Sequence, residues 1–205
     1  MIFRVNIKMK EPDGIAFIDR DGTLIEDSGY LSDPAEIREI GDSVSSIAGL
    51  KESGFAIFII SNQAGLAKGI IKMEEFLRVK RRFEEMFDPF MEIFDGVFYC
   101  PHHVEGTVED LRGSCACRKP GTMMLETALG FLKSLPPSDR VFTVGDKTID
   151  IMVGKKKGFR TILVETGYGR GDKDKITDPD MFPDFIARDF DEAVSIMTER
   201  LCGAP

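Results

Sequence analysis

Short apolar runs alternate with longer amphipathic stretches along almost the whole chain. The runs fall at Ile15–Asp19, Phe55–Ser61, Gly96–Cys100, Val141–Gly145 and Thr161–Val164. Each is apolar nearly throughout instead of alternating, which is the pattern of a strand buried on both faces. Between them, apolar residues recur at helical spacing. Asp42 stands where it can cap a helix carrying Val44, Ile47, Ala48 and Leu50, and Gly54 is placed to end it. Met73, Phe76, Leu77, Lys80, Phe83 and Phe87 make a longer amphipathic helix, whose apolar face tolerates the aliphatic stem of Lys80. Met123–Leu132 and Thr148–Lys156 supply two more, the second stopped by Gly158, and Phe190–Leu201 reads as a closing helix. Two stretches break the pattern: His102–Arg118, read as an organised loop, and Thr166–Pro183, rich in Gly, Asp and Pro. Strand–helix alternation of this kind predicts an α/β fold with a parallel sheet covered on both faces.

At 205 residues the chain has the length of one domain with a substantial core. The net charge of −8 argues against a nucleic-acid or membrane surface, so an anionic substrate needs a local cluster of cations. No apolar run reaches the length of a signal peptide or a membrane span. The expectation is a cytoplasmic protein, working as a monomer because no exposed apolar stripe argues otherwise.

The chemistry concentrates where the runs end. Phe17-Ile18-Asp19-Arg20-Asp21-Gly22-Thr23 closes the first run with two carboxylates two residues apart. Strand residues at that spacing point to one side, and in open α/β sheets ligands bind beyond the carboxyl ends of the strands. Asp19 can attack a phosphorus atom to form an aspartyl-phosphate, with Asp21 trading protons with the leaving alkoxide and the attacking water. A phosphate dianion repels a carboxylate, so Mg²⁺ is needed to bridge them. The competing reading is a turn, since Asp-x-Asp-Gly also caps loops and resembles the start of a calcium loop. Three later stations favour catalysis. Ser61, at the end of the second run and followed by Asn62-Gln63-Ala64-Gly65, can hold a phosphoryl oxygen. Arg118-Lys119-Pro120 offers a fork for phosphate oxygens and a cation for the phosphorylated intermediate. Asp146, ending the fourth run, can complete the Mg²⁺ shell and Lys147 can meet substrate. Asp150 can orient a metal-bound water or a neighbouring lysine, or serve only as a first-turn helix carboxylate.

The four cysteines are Cys100, Cys115, Cys117 and Cys202. Three of them cluster with both histidines, His102 and His103, and three thiolates with one imidazole suit a closed, structural zinc site. Cys100-Pro101-His102 favours His102 as the ligand and leaves His103 to solvent or substrate. Cys202 reads as a partly buried small apolar residue.

The chain resembles the D-glycero-D-manno-heptose 1,7-bisphosphate phosphatases of the haloacid dehalogenase (HAD) superfamily, a group close to the histidinol phosphatases. The resemblance is carried by Asp19-Arg20-Asp21-Gly22-Thr23-Leu24, Asp27-Ser28-Gly29-Tyr30, Ser61-Asn62-Gln63-Ala64-Gly65, Tyr99-Cys100-Pro101-His102-His103, Cys115-Ala116-Cys117-Arg118-Lys119-Pro120 and Val144-Gly145-Asp146-Lys147. It implies a Rossmannoid three-layer α/β/α sandwich with no large cap domain, in a single domain over 1–205. The core would span about 14–169, a zinc-pinned loop 100–118, and a loop and C-terminal helix 170–205. It further implies Mg²⁺ at Asp19, the backbone carbonyl of Asp21 and Asp146, and zinc at Cys100, His102, Cys115 and Cys117. Substrate contacts would fall on Asp27, Ser28, Gly29 and Tyr30, on Ser61, Asn62, Gln63 and Ala64, and on Arg118, Lys119 and Lys147. Of these, Ser61, Arg118 and Lys119 would stabilise the phosphoryl group in flight. The implied activity is removal of the 7-phosphate of a heptose bisphosphate, a small phosphorylated sugar. Histidinol phosphate or another small phosphomonoester is the alternative, and a zinc-stabilised binding module without chemistry is the alternative of another class. Two positions depart from the family: Ser61 replaces a more usual threonine, and Gly121-Thr122-Met123 follows Pro120 where the family usually continues with proline and glycine.

Overall fold

A computed structural model of the protein describes residues 1–7, 11–174 and 176–202. The apolar runs form one seven-stranded sheet from β1 (Ile2–Val5), β2 (Gly14–Ile18), β3 (Phe55–Asn62), β4 (Gly96–Cys100), β5 (Val141–Gly145), β6 (Arg160–Val164) and β7 (Phe185–Ala187), in the order β1-β4-β3-β2-β5-β6-β7. All neighbours pair in parallel except β1 with β4. The helices are α1 (Ser43–Glu52), α2 (Ala64–Ala67), α3 (Met73–Phe87), α4 (Met123–Leu129), α5 (Thr148–Lys156), α6 (Gly169–Lys173) and α7 (Phe190–Cys202).

Alternation along the strands divides the core into two layers. Ala16 and Ile18 of β2, with Ile57 and Ile59 of β3, face α1, α3 and α7. Ile15, Phe17, Ala56 and Phe58 face α4 and Val153 of α5. The result is a three-layer α/β/α sandwich, as the resemblance implies. Among the described residues β2 connects to α1 through a segment whose one regular element is the short 3-10 turn Pro34–Glu36, and no cap domain is inserted there. No helix among the described residues is long and apolar enough to cross a membrane.

Several elements differ from the sequence reading. The edge strands β1 and β7 were not expected. Both are short, and β1 carries Arg4, whose guanidinium reaches Asp88 at 3.3 Å across the sheet edge. The stretch expected as a loop after Thr166 contains α6, and α4 stops at Leu129 instead of Leu132. On α3 the buried stripe is Phe76, Val79, Phe83 and Phe87, whereas Met73 and Leu77 are 43% and 45% exposed. Asp42 makes no side-chain capping bond; Val44 N–H donates instead to Glu39 Oε1 at 2.7 Å. The side chain of Cys202 lies outside the described residues.

Candidate active site

The parallel strands end at one edge, and β2, β3 and β5 deliver Asp19, Ser61 and Asp146 there side by side. Asp19 N–H donates to the Val144 carbonyl at 2.9 Å, continuing the ladder one residue past β2. Its carboxylate Oδ1 accepts from Lys119 Nζ at 2.7 Å, and the same ammonium contacts Asp150 Oδ1 at 2.6 Å and the Ile60 carbonyl at 2.8 Å. All three charged groups are buried. Burial pushes the Lys119 ammonium down, but its ion pairs with Asp150 and Asp19 outweigh this and hold it above the usual lysine range. Asp150 also accepts the Lys147 backbone N–H at 3.2 Å, so it both orients a lysine and caps α5.

Asp146 sits in a cradle of glycine. A Cβ at Gly22 (φ +85°) or Gly167 (φ +53°) would collide with its Oδ2. That oxygen accepts the Tyr168 N–H at 2.8 Å, while Oδ1 is buried with no hydrogen bond and Lys147 Nζ stands 3.6 Å away. Burial and the nearby Asp19 raise the Asp146 carboxyl to about 8. Burial likewise raises Asp19 to about 6, against the opposing pull of Lys119.

The second aspartate is held differently. Arg20 Nε and Nη2 donate to Asp21 Oδ1 at 3.0 and 2.8 Å, and Nη2 reaches Oδ2 at 2.9 Å. Gln63 Nε2 donates to Asp21 Oδ2 at 2.9 Å and to Ser61 Oγ at 2.8 Å, while Ser61 Oγ lies 3.3 Å from Asp21 Oδ2.

Asp19, Asp21, Ser61, Asn62, Gln63, Ala64, Lys119 and Lys147 open onto one cleft of about 310 Å³, walled by Asp27, Gly29 and Tyr30 on one side and Tyr168 on another. Lys147 Nζ pairs with Asp27 Oδ2 at 2.8 Å and lies 4.7 Å from the Tyr168 ring centroid. Burial pushes the Lys147 ammonium down, but the charges of Asp19 and Asp146 and the pair with Asp27 outweigh this and hold it above the usual lysine range. Gly29 N–H donates to Asp27 Oδ1 at 2.8 Å, turning Tyr30 toward the opening. Ser28 is exposed and does not line the cleft. Arg118 does not line it either; its Nη1 donates to the His102 carbonyl at 3.2 Å. Thr166, Tyr168 and Arg20 carry no signal of a role in the sequence. Thr166 Oγ1 donates to the Gly22 carbonyl at 2.6 Å and so fastens the loop before α6 across the site.

Two groups of side chains suit metals. Ligand atoms of Asp19, Asp146 and Asp150 lie within 4.8 Å of one another, but both Asp150 oxygens are engaged, Oδ1 by Lys119 and Oδ2 by the Lys147 N–H, which leaves Asp19 and Asp146 to a metal. A buried carboxylate oxygen without a hydrogen bond in an all-oxygen set fits Mg²⁺, a hard cation. Cys100, His102, Cys115 and Cys117 form the second group, with sulfurs 3.2–3.4 Å apart and His102 Nδ1 3.4 Å from Cys117 Sγ and 3.7 Å from Cys100 Sγ. Three thiols and an imidazole nitrogen converging on one point fit tetrahedral zinc. His103 turns away, its Nδ1 accepting the Glu105 N–H at 3.1 Å.

Comparison with known proteins places this geometry. A family model described as HAD-hydrolase-like matches residues 116–193. The chain is 37% identical over 153 residues to the D-glycero-beta-D-manno-heptose-1,7-bisphosphate 7-phosphatase of Pasteurella multocida, covering 74% of this chain and 81% of that one. It is 35% identical over 185 residues to the D-glycero-D-manno-heptose-1,7-bisphosphate 7-phosphatase of Chlorobaculum tepidum, covering 88% and 92%. In fold it resembles the crystal structure of D,D-heptose 1,7-bisphosphate phosphatase from B. bronchiseptica, complexed with magnesium and phosphate. That match has a TM-score of 0.78 and 23% identity, over 91% of this chain and 99% of that one.

Proposed function

The chain belongs to the D-glycero-D-manno-heptose 1,7-bisphosphate 7-phosphatase family of HAD-like hydrolases, and from that membership we propose that it removes the 7-phosphate of heptose 1,7-bisphosphate through a phosphorylated Asp19. The observation that carries the reading is the near full-length likeness to the Chlorobaculum tepidum 7-phosphatase, 92% of which is covered.

The chain's own residues divide the work. An Asp19 carboxylate oxygen attacks phosphorus as the bond from phosphorus to the sugar oxygen breaks, and the leaving oxygen takes a proton from Asp21. Asp21 then takes a proton from water, whose oxygen attacks the phosphorus and frees both phosphate and Asp19. Lys119, fixed between Asp19 and Asp150, keeps a positive charge beside the phosphoryl group throughout. Ser61 and Gln63 offer a hydroxyl and an amide to its oxygens, and Lys147, Asp27 and Tyr30 face the sugar. Mg²⁺ held by Asp19, the Asp21 carbonyl and Asp146 supplies the charge that lets a phosphate dianion approach a carboxylate. Zinc on Cys100, His102, Cys115 and Cys117 pins the loop that leads into Arg118 and Lys119. We read the chain as one phosphatase domain, working in the cytoplasm as a monomer without nucleic-acid or membrane partners.

The test is Mg²⁺-dependent phosphate release from both anomers of heptose 1,7-bisphosphate, histidinol phosphate and fructose 1,6-bisphosphate, side by side. A heptose preference of about a hundredfold in kcat/KM, near 2.7 kcal/mol of transition-state discrimination, is expected. Equal, weak rates on all four would overturn the substrate assignment.

A further inference from the structure

Arg20 stands between the two aspartates and is more deeply buried than either, at 1% exposed. Strand alternation sends its side chain toward the sheet face away from Asp19. There the guanidinium carbon lies 6.0 Å from the Phe83 ring centroid of α3 and 5.8 Å from that of Tyr99 on β4. Two aromatic faces give a guanidinium a favourable and directional seat. From that seat it turns back onto Asp21 with three contacts between 2.8 and 3.0 Å.

A charge placed in an aromatic layer is costly unless it is paired, and an aliphatic residue would fill the same space without that cost. The other donors to Asp21, Ser61 and Gln63, line the cleft, where an incoming phosphoryl group competes for them. Arg20 does not line the cleft and approaches from beneath it. Its hold on Asp21 is therefore the one that substrate does not contest.

We infer that Arg20 is a positioning residue, fixing the Asp21 carboxylate for proton transfer to the leaving oxygen. This rests on the reading of Asp21 as the acid–base group in the proposed phosphatase reaction.

Leaving-group dependence tests it. An alkyl phosphate needs its leaving oxygen protonated, whereas p-nitrophenyl phosphate releases p-nitrophenolate, already a stable anion. Arg20→Met should lower the alkyl-to-aryl ratio of kcat/KM, which reports the steps up to departure of the leaving group, by about a hundredfold, the ordinary size of a general-acid contribution. Asp21→Asn should lower the ratio similarly, and the double variant should fall no further. Arg20→Lys, which keeps the charge, should recover part of the ratio and covers the case in which Arg20→Met does not fold. Equal losses of kcat/KM on both esters, or losses that multiply in the double variant, would overturn the inference while leaving the phosphatase intact. A wild-type protein that hydrolyses neither ester would overturn the phosphatase reading and this inference with it.

Discussion

Asn62 clamps the main chain of Lys119 by both ends of its amide: Oδ1 accepts the Lys119 N–H at 3.0 Å, and Nδ2 donates to the Lys119 carbonyl at 3.1 Å. The end of β3 thereby fixes a residue 57 positions further on, whose ammonium then meets Asp19. Asn62→Ala removes both bonds and should cost about 1–3 kcal/mol in urea unfolding. Lys119 would lose its register against Asp19, and kcat should fall by about tenfold or more. Wild-type kcat in that variant would show that Lys119 is placed by its side-chain contacts alone.

Gly167 leaves room for the Asp146 carboxylate, and any Cβ there would meet Oδ2. Gly167→Ala should therefore raise the Mg²⁺ concentration for half-maximal activity by about ten- to a hundredfold, the usual effect of disturbing a ligand's surroundings. An unchanged Mg²⁺ requirement would remove Asp146 from the metal site.

The carboxyls also set a pH dependence. The Asp146 carboxyl is raised from 3.8 to about 8 in the folded, metal-free protein. A raised carboxyl stabilises the fold fully below the unfolded value, and that contribution is lost as the pH rises through about 8. Without metal, the melting temperature should fall between pH 6 and 9. Because Mg²⁺ requires the ionised carboxylate, it should raise the melting temperature more at the upper end of that range. A Mg²⁺ effect that is constant or shrinks toward pH 9 would contradict this.

The proposed zinc ligands bring Cys100, at the end of β4, against Cys115 and Cys117, the latter two residues before Lys119. Cys115→Ser should abolish stoichiometric zinc and lower stability by about 3 kcal/mol, or roughly 6–12 °C in melting temperature. Activity should fall along with it. Retained zinc and melting temperature would exclude Cys115 as a ligand.

The core strands were legible because each is apolar almost end to end, a pattern that both-face burial demands. β1 and β7 were not, since a short edge strand carrying Arg4 or reduced to Phe185–Ala187 has no such pattern. Leu77 and Val79 are equally apolar, and only packing against the sheet decides that Val79 is the one buried. Within the site, Asp19, Ser61 and Asp146 could be anticipated because strand ends place polar side chains at one edge, and Lys119 because it stands in an Arg-Lys-Pro run in the loop before α4. The contact of Asp146 with Tyr168 could not, because it uses a backbone N–H that every residue but proline carries. Arg20 was hidden for another reason. Its seat between Phe83 and Tyr99 exists only once α3 is packed on β4, a contact that no local pattern announces.

The most direct measurement is acid quenching of a single turnover, followed by mass-spectrometric mapping of the peptides. A phosphoryl adduct on Asp19 that forms and decays within the turnover, and is missing from Asp19→Asn along with phosphate release, is the predicted result. Turnover that persists in Asp19→Asn, or an adduct on any other residue, would contradict the account.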